Sequence, residues 1–326
     1  MRSLISKGWQ EPPILDTGLA TTHTNIRYFT HPFINTTNYI TRLSDGRILA
    51  GCFSSVPGSN AIVMAYDCSD DGYSVSLKTD CVFKGGGTVE GPGGITQLND
   101  GRVAIADSAS HKIHIFSYDT ASGGLTHVST FSHPIIPNFA PFTNPYGITQ
   151  LPDGRVFVAG IPPVILDYDA ATGVLTPKKA CIDAGMGTGD GQFNMSQRGC
   201  RVLADGRLAV CSDNRVQIFD YDPVTAQIAF VSKITLPTYG FYDIIQLGDG
   251  RIMTCDVVSV DGVLGIYDYL TDTGAMLELT SLYLNSADMY AKFSGMAVLS
   301  DNTIIAADRN QRRLVTFDIG CIMKND

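Results

Sequence analysis

The residues of this chain that are best placed to do chemistry come just before six short apolar runs, each of which ends in a leucine and a turn. In chain order they are Asn38, Glu90, Asn144, Gln197 with Arg198, Tyr242 with Asp243, and Lys292 with Ser294. They differ from one run to the next, as the residues of a binding site do, whereas the turns repeat. Carboxylate and amide oxygens suit calcium, and a carboxylate such as Asp243 could also act as a general base.

More familiar catalytic and metal-binding patterns are missing from the sequence. The six histidines form neither an HxH nor an HExxH pair, and no Gly-x-Ser-x-Gly segment or phosphate-binding loop is present. The eight cysteines never form a CxxC pair, which indicates small buried side chains in a reducing compartment rather than a zinc site. We therefore predict no cofactor, with calcium as the alternative.

A turn that recurs along the chain indicates which elements must position these residues. It reads Leu-x-Asp-Gly-Arg at Leu43, Leu98, Leu151, Leu203 and Leu247 and takes a degenerate form at Leu299, with an average spacing of about 51 residues. Asp-Gly between two apolar runs predicts a hairpin with a two-residue turn, in which both residues have positive φ. Four such runs per repeat predict an all-β fold, a six-bladed β-propeller with four-stranded antiparallel blades.

The two ends of the chain complement each other. Residues 1–30 precede the first repeat and hold a spare strand-like segment, whereas the last repeat stops after its third run at Asp318. We predict that a segment within 14–29 supplies the outer strand of the last blade, which closes the ring and removes an open strand edge. The chain is then one domain over 1–326, with a closing segment at 1–30, blade repeats at 31–319 and a tail at 320–326.

Two stretches resemble known propellers. GTGDGQF with LADGRLAVCSDNRVQIFDYD, and GGGTVEGPGGITQLNDGRVAIADSASHKIHIFSYD, resemble the NHL repeat of six-bladed propellers. That resemblance implies the fold and leaves function open, because NHL-type propellers include RNA-binding modules, sensor domains, lyases and scaffolds. The segment VEGPGG is similar to the Glu-Gly-Pro of the senescence-marker and gluconolactonase propellers, which implies that Glu90 is a metal ligand.

Two sets of charged residues recur once per blade. The arginine of the turn is Arg47, Arg102, Arg155, Arg207 and Arg251, and an aspartate follows the repeat leucine by nine residues at Asp107, Asp256 and Asp308. A ring of arginines could bind anions. One copy per blade beside a turn favours local pairing with turn carboxylates and carbonyls instead, and an aspartate at such a place caps the backbone.

Composition narrows the classes of partner. The net charge of −9 argues against binding along a nucleic-acid backbone, so RNA binding by a patch of Arg198, Lys178, Lys179 and Arg201 is the least favoured hypothesis. No apolar segment is long enough to span a membrane or to form a secretory leader. We expect a soluble protein that is cytoplasmic or part of a particle assembled in the cytoplasm.

The segment 130–147 holds four prolines and the aromatic residues Phe139, Phe142 and Tyr146. It predicts a stiff apolar loop that contacts a partner, or one that packs across its own blade. Our first functional expectation is a non-catalytic binding or assembly scaffold whose partner is another protein or copies of itself, including in a phage or virus particle. The alternative is a calcium-dependent hydrolase or lactonase at the mouth of the central channel, with Glu90 as ligand and Asp243 as base.

Overall fold

The repeated turn joins two strands through a glycine with a left-handed backbone. In the first copy the N–H of Gly46 donates to the carbonyl of Leu43 (3.0 Å), and the N–H of Leu43 donates to the carbonyl of Arg47 (2.7 Å). Gly46 has a φ of 87°, whereas Asp45 is not among the described residues with positive φ. The predicted two-residue turn is therefore wrong, because a β-turn followed by one left-handed glycine makes the connection.

The computed structural model describes residues 26–30, 36–53, 62–81, 89–132, 142–181, 185–194, 197–235, 240–256, 263–283, 292–301 and 303–319. Within these ranges the chain forms 24 strands arranged in six sheets. No helix in them is long and apolar enough to cross a membrane.

Each sheet is a four-stranded antiparallel blade. From inner to outer strand, the first three blades are β2 (Thr36–Arg42), β3 (Ile48–Phe53), β4 (Ile62–Cys68) and β5 (Val75–Cys81); β6 (Pro92–Gln97), β7 (Val103–Asp107), β8 (Lys112–Tyr118) and β9 (Leu125–Ser132); and β10 (Thr143–Gln150), β11 (Val156–Ile161), β12 (Val164–Asp169) and β13 (Val174–Ala180). The last three are β14 (Gln197–Val202), β15 (Leu208–Ser212), β16 (Arg215–Asp222) and β17 (Gln227–Thr235); β18 (Phe241–Gln246), β19 (Ile252–Asp256), β20 (Val263–Leu270) and β21 (Ala275–Tyr283); and β22 (Phe293–Ser300), β23 (Thr303–Asp308), β24 (Arg313–Asp318) and β1 (Ile26–Thr30).

The first strand of the chain closes the ring. β1 pairs antiparallel with β24, from Ile26 opposite Phe317 to Thr30 opposite Arg313. The inner strand β2 of the first blade also packs beside the inner strand β22 of the sixth. These pairings confirm the predicted six-bladed propeller and its closing strand.

The repeated arginine joins each blade to the next. Arg155 donates to the carboxylates of Asp153 (2.6 Å) and Asp167 (2.7 Å) in its own blade. In the following blade it donates to the hydroxyl of Tyr221 (3.2 Å) and the carbonyl of Pro223 (2.8 Å). The hydroxyl of Tyr221 returns a hydrogen bond to Asp153 (2.6 Å). Equivalent tyrosine and carbonyl acceptors serve the arginines of three other junctions, Arg47, Arg102 and Arg207.

The junction between the fifth and sixth blades lacks the tyrosine of this bridge. Arg251 bonds the neighbouring Asp249 (2.9 Å), and no acceptor in the described part of the sixth blade receives its guanidinium. Ile319 lies where the second to fifth blades have the tyrosine, because Phe317 pairs with Ile304 in the same register as Phe219 pairs with Leu208. Its apolar side chain offers no hydroxyl to the turn arginine.

Apolar side chains fill the space between neighbouring blades. Between the third and fourth blades, for example, Phe157, Phe193 and Phe219 are buried together, and the rings of the last two stack at 5.2 Å. The described cysteines carry no disulfide, and five of the six are buried. Burial raises the pKa of the Cys200 thiol to about 12, so this side chain behaves as a small apolar group.

Candidate functional site

Glycines allow the inner strands to approach one another around the central axis. Gly94, Gly147, Gly199 and Gly295 lie four residues before the repeat leucine in four of the blades. A Cβ atom at Gly295 would lie 2.7 Å from the backbone N of Ile40, which is closer than real Cβ atoms come. Larger residues at these positions would push the inner strands apart.

The remaining two blades place Tyr39 and Asp243 at the same level, and both are buried. The Tyr39 hydroxyl lies 3.5 Å from the carbonyl oxygen of Tyr242, and the two rings are 5.6 Å apart. Tyr39 belongs to the first blade and Tyr242 to the fifth, which are not neighbours in the ring. The backbone of Tyr39 lies against Gly295 of the sixth blade, and its side chain reaches past that blade to the fifth.

An arginine between two tyrosines lies at the end of the channel where the inner strands begin, which we call the mouth. The guanidinium carbon of Arg198 is 4.1 Å from the ring centre of Tyr146 and 5.2 Å from that of Tyr242. A second guanidinium approaches from the sixth blade, since Nη1 of Arg309 donates to the hydroxyl of Tyr242 (3.5 Å). We call these four residues the mouth clamp.

The charge of Arg198 has no carboxylate partner within the described part of the chain. Burial acts to lower the pKa of Arg198, but Tyr242 and Tyr146 outweigh it and raise that pKa above its ordinary value. An arginine held against aromatic faces keeps its hydrogen-bond donors for another partner. In a protein with a net charge of −9, the mouth clamp is a local positive site suited to an anion.

Two buried amides beside the mouth have free acceptor oxygens. Asn38 is 1% exposed and Gln197 is 2% exposed. Neither Oδ1 of Asn38 nor Oε1 of Gln197 has a hydrogen-bond partner among the described residues. Leaving such an acceptor unpaired costs about 1–3 kcal/mol, so a ligand hydroxyl or a water is expected to donate to each.

Asp243, the expected base, lies below the mouth. It is fully buried, its Oδ2 accepts from the N–H of Met296 (3.0 Å), and the same oxygen is 3.6 Å from Nη2 of Arg201. Burial raises the pKa of Asp243, and the charge of Arg201 opposes that shift. Because the carboxyl is enclosed at the level of Tyr39, it does not reach a substrate bound at the mouth.

Glu90 is exposed at the start of the second blade. Its backbone N–H donates to Asp107 (2.8 Å), as do the N–H of Gly91 (2.9 Å) and the hydroxyl of Ser110 (2.6 Å). Burial alone would raise the pKa of Asp107, but the His114 ring, whose Nε2 lies 3.5 Å from Oδ2, and hydrogen bonds from Ser110 and the N–H of Glu90 hold it at about 2. Asp107 therefore fixes the backbone that presents Glu90, which agrees with its predicted capping role.

Asn144 and Lys292 occupy the mouth-side starts of two other inner strands. Asn144 has a φ of 48°, and its N–H donates to Nδ1 of His111 (3.1 Å) in the second blade. The carbonyl of Lys292 accepts from the N–H of Arg309 (2.8 Å), which places both basic residues at the sixth blade. The mouth thus combines side chains from all six blades.

The described residues contain no group of three or more His, Cys, Asp or Glu side chains that could hold a metal ion. Asp243 is paired with Arg201, and Arg198 brings a positive charge to the mouth, which disfavours a divalent cation there. The donor set expected for calcium, Glu90 with Asn38, Asn144 and Asp243, has two carboxylates and two amides, and calcium at Glu90 stays a prediction.

The predicted partner loop is only partly described. Phe139 lies outside the described residues. Phe142 was expected to be exposed, but it is 1% exposed and packs edge-on against Phe131 at 6.3 Å, because the loop returns to the core before β10 begins. Tyr146 belongs to the mouth clamp. The described part of the loop thus packs into the apolar space between the second and third blades, and contact with a partner stays a prediction.

Sequence reasoning missed two residues of the mouth and one that lies below it. Arg309 follows the capping Asp308, His111 belongs to the loop after β7, and Tyr39 replaces an inner-strand glycine. In each case the signal is a blade-specific departure from the repeat. Aligning the six repeats at every position, and not only before the inner strands, would have found all three.

Comparisons with known proteins support the fold. The chain is 14% identical to a virginiamycin B lyase from Staphylococcus aureus, with 90% of this chain and 99% of that chain covered and a TM-score of 0.54. It is 13% identical to a periplasmic gluconolactonase from Pseudomonas aeruginosa (82% and 98% covered, TM-score 0.53) and to a candidate 6-phosphogluconolactonase from Bacteroides fragilis (86% and 80% covered, TM-score 0.58). No protein-family model and no curated protein sequence matches the chain, so membership in the NHL family stays a prediction.

These comparisons correct the first functional expectation. The similar structures just described are lactonases and a lyase, and not assembly scaffolds or virus components. The expectation of a non-catalytic scaffold is therefore wrong, and the alternative of a hydrolase or lactonase is better supported. The weaker resemblance seen around Glu90 agrees with the gluconolactonases among these structures.

Proposed function

We propose that the protein is a hydrolase of small anionic esters or lactones, with its substrate bound at the mouth of the central channel. The observation that carries this proposal is Arg198, a half-buried guanidinium held between Tyr146 and Tyr242 without a carboxylate partner in the described ranges. Arg309 adds a second positive charge at the same tyrosine. A carboxylate or phosphate on the substrate would bind these groups.

The rest of the mouth suits a polyhydroxylated substrate. The unpaired acceptors of Asn38 and Gln197 would accept hydrogen bonds from substrate hydroxyls. The rings of Tyr146 and Tyr242 would pack against the face of a sugar-like ring. Lactones of sugar acids combine hydroxyls, an apolar ring face and, where oxidised or phosphorylated, a negative charge.

The chemical step needs an activated water. Water adds to the acyl carbon, the ring C–O bond breaks, the released oxygen takes up a proton, and a carboxylate is formed. Glu90 is the exposed carboxylate at the start of the second blade, and Asp107 fixes its backbone. We assign to Glu90 the role of general base for this water, in place of the calcium ligand suggested by the sequence. Arg198 and Arg309 would also stabilise negative charge that develops on the carbonyl oxygen.

This proposal is tested by assaying the hydrolysis of gluconolactone, 6-phosphogluconolactone and glucarolactone, with the release of a proton as the readout. We expect the charged lactones to be hydrolysed with a lower KM than gluconolactone. Loss of a hydrogen-bonded charge costs about 1.5–3 kcal/mol, so Arg198→Gln should raise KM for the charged substrates at least tenfold. The KM of Arg198→Lys for the charged substrates should lie between those of the wild type and Arg198→Gln, since lysine keeps the charge and loses the planar guanidinium.

Arg251→Gln is the matched control, because Arg251 pairs with Asp249 at the opposite ends of the strands. It should leave kcat and KM unchanged. Glu90→Gln should lower kcat by a factor of 100 or more with little change in KM, since a general base contributes about 10²–10⁴-fold. The proposal would be refuted if both Arg198→Gln and Glu90→Gln hydrolysed the charged lactones as fast as the wild type. It would also be refuted if the wild type hydrolysed none of the lactones. Assays in EDTA and in millimolar calcium show whether the reaction depends on a metal.

We also propose that the repeat is of the NHL type, and the hydrogen bonds of one buried arginine to the Gly-rich loop support this. The guanidinium of Arg215 donates to carbonyls of the Gly-rich loop that resembles the NHL repeat, among them those of Gly187 (2.8 Å) and Gln192 (3.0 Å). The loop is thereby organised by a buried arginine and does not need a bound ligand. This supports a structural role for the glycine-rich segment.

A further inference from the structure

A separate cavity lies at the other end of the channel, where the inner strands run into the repeated turns. It has a volume of about 330 Å³, which is within the range of small-molecule sites. Each of the six blades contributes the residue two positions before its repeat leucine, and these are Thr41, Thr96, Thr149, Arg201, Ile245 and Ala297. We call this space the exit cavity.

The wall of the exit cavity is asymmetric around the ring. Three consecutive blades supply a threonine, the fourth supplies an arginine, and the fifth and sixth supply isoleucine and alanine. A repeat that served only the fold would place similar residues at these equivalent positions. Three hydroxyls and a guanidinium therefore face two apolar side chains, which is the pattern of a site that orients a small ligand.

Arg201 supplies the charge of this wall. Its side chain is 22% exposed, and its contact with the buried Asp243 is loose, at 3.6 Å between Nη2 and Oδ2. The other arginine of the wall, Arg42, is committed to Asp70 and to the carbonyls of Val298 and Leu299. Arg201 also donates to the carbonyl of Cys200 (3.5 Å), and because both of its contacts are long, its guanidinium can bind a ligand carboxylate in addition to Asp243.

The exit cavity is distinct from the mouth, because it lies at the other end of the inner strands and no residue of the mouth clamp lines it. We propose that the exit cavity is a second binding site, which takes a small hydroxylated monocarboxylate. The carboxylate binds Arg201, the hydroxyls of the ligand bind the threonines, and its carbon chain packs on Ile245 and Ala297. The apolar half of the wall and the single available guanidinium favour an organic acid over inorganic phosphate.

The test is calorimetric titration of the full chain with acetate, lactate, gluconate and inorganic phosphate. All titrations use the Arg198→Gln variant, in which binding of anions at the mouth is expected to be at least tenfold weaker. We expect gluconate to bind this variant, more tightly than acetate and phosphate. Arg201→Gln in the same background should weaken gluconate binding at least tenfold. No gluconate binding at millimolar concentration in Arg198→Gln, or equal binding after Arg201→Gln, would overturn the proposal.

Two further variants guard against an indirect effect of Arg201→Gln on folding. Thr96→Val keeps the shape of the side chain and removes its hydroxyl, and it should weaken gluconate binding threefold to tenfold without affecting acetate. Ala297→Leu fills the apolar side of the cavity and should abolish binding of both acids. Unchanged affinities in both variants would also overturn the proposal. None of these residues belongs to the mouth. A failure of the gluconate titrations therefore leaves the hydrolase proposal intact, and a failure to observe hydrolysis leaves the proposal of a second binding site intact.

Discussion

Replacing Tyr221 by phenylalanine removes one hydroxyl from the junction between the third and fourth blades and keeps the ring. That hydroxyl donates to Asp153 (2.6 Å) and accepts from Arg155 (3.2 Å). Hydrogen bonds to charged groups contribute about 1.5–3 kcal/mol, and the partial exposure of this junction places the loss near the lower limit. We therefore expect the variant to be about 1.5 kcal/mol less stable than the wild type.

The size of the thermal shift follows from the length of the chain. An unfolding entropy of about 2.1 cal/mol/K per residue gives roughly 0.7 kcal/mol/K for this protein, so Tm should fall by about 2 °C. Equilibrium unfolding in urea is the more sensitive assay, because a stability change of this size moves the midpoint at an unchanged slope.

A double-mutant cycle isolates the bridge between the blades. Tyr221→Phe and Arg155→Gln should show a coupling energy of about 1 kcal/mol, because both remove the same interaction. Tyr221→Phe and Arg251→Gln lie at different junctions and should be additive. A coupling energy no larger than in this control cycle would show that the turn arginines act only within their own blades, and the reasoning would then be refuted.

Three more predictions concern pH and packing. Burial, together with aspartate hydrogen bonds, raises the pKa of four junction tyrosines to about 12, namely Tyr118, Tyr168, Tyr221 and Tyr269. Their contribution to the free energy of unfolding is complete below pH 10, which is about the pKa of tyrosine in the unfolded chain, and it is lost towards pH 12. The urea midpoint should therefore fall steeply between about pH 10 and pH 12, and it should fall less steeply in Tyr221→Phe. The pKa of Asp107 is about 2, so it contributes about 2 kcal/mol that is lost as the pH falls from about 4 to 2, and Asp107→Asn should remove this acid dependence. Gly147→Ala would drive a Cβ atom into the backbone oxygen of Arg198, so it should destabilise the ring and weaken binding of anionic lactones. Gly101→Ala strains a left-handed turn (φ 86°) at the other end of the strands, so it should also lower stability but leave that binding unchanged.

The fold could be predicted from sequence because its signals are repeated. Six copies of the leucine turn fix the number of blades, and the spare strand at one end matches the missing strand at the other. The turn geometry could not be predicted in the same way. Asp-Gly is compatible with more than one hairpin loop, and the hydrogen bond between Gly46 and Leu43 distinguishes them only in the folded chain.

The site could be predicted only in part, because position before an inner strand does not determine depth in the channel. Arg198 and Tyr242 lie at the mouth as expected, but Asp243, the next residue along β18, is buried at the level of the glycines. Local sequence also gave no sign that Tyr39 reaches the fifth blade. That contact depends on small residues in other blades, which lie far away in the chain.

The strand that closes the ring sets the order in which the protein can be completed during synthesis. Residues 26–30 leave the ribosome early, but their partner strand at 313–318 is made about 290 residues later. Closing a loop of that length costs about 5 kcal/mol of chain entropy beyond a constant term, so β1 has little reason to dock before the sixth blade exists. Until the last strand is released, the nascent chain is an open arc with an unpaired edge at its growing end. A ribosome that stalls before residue 313 would therefore leave five blades and a waiting N-terminal strand, which is the state most exposed to pairing with a second copy.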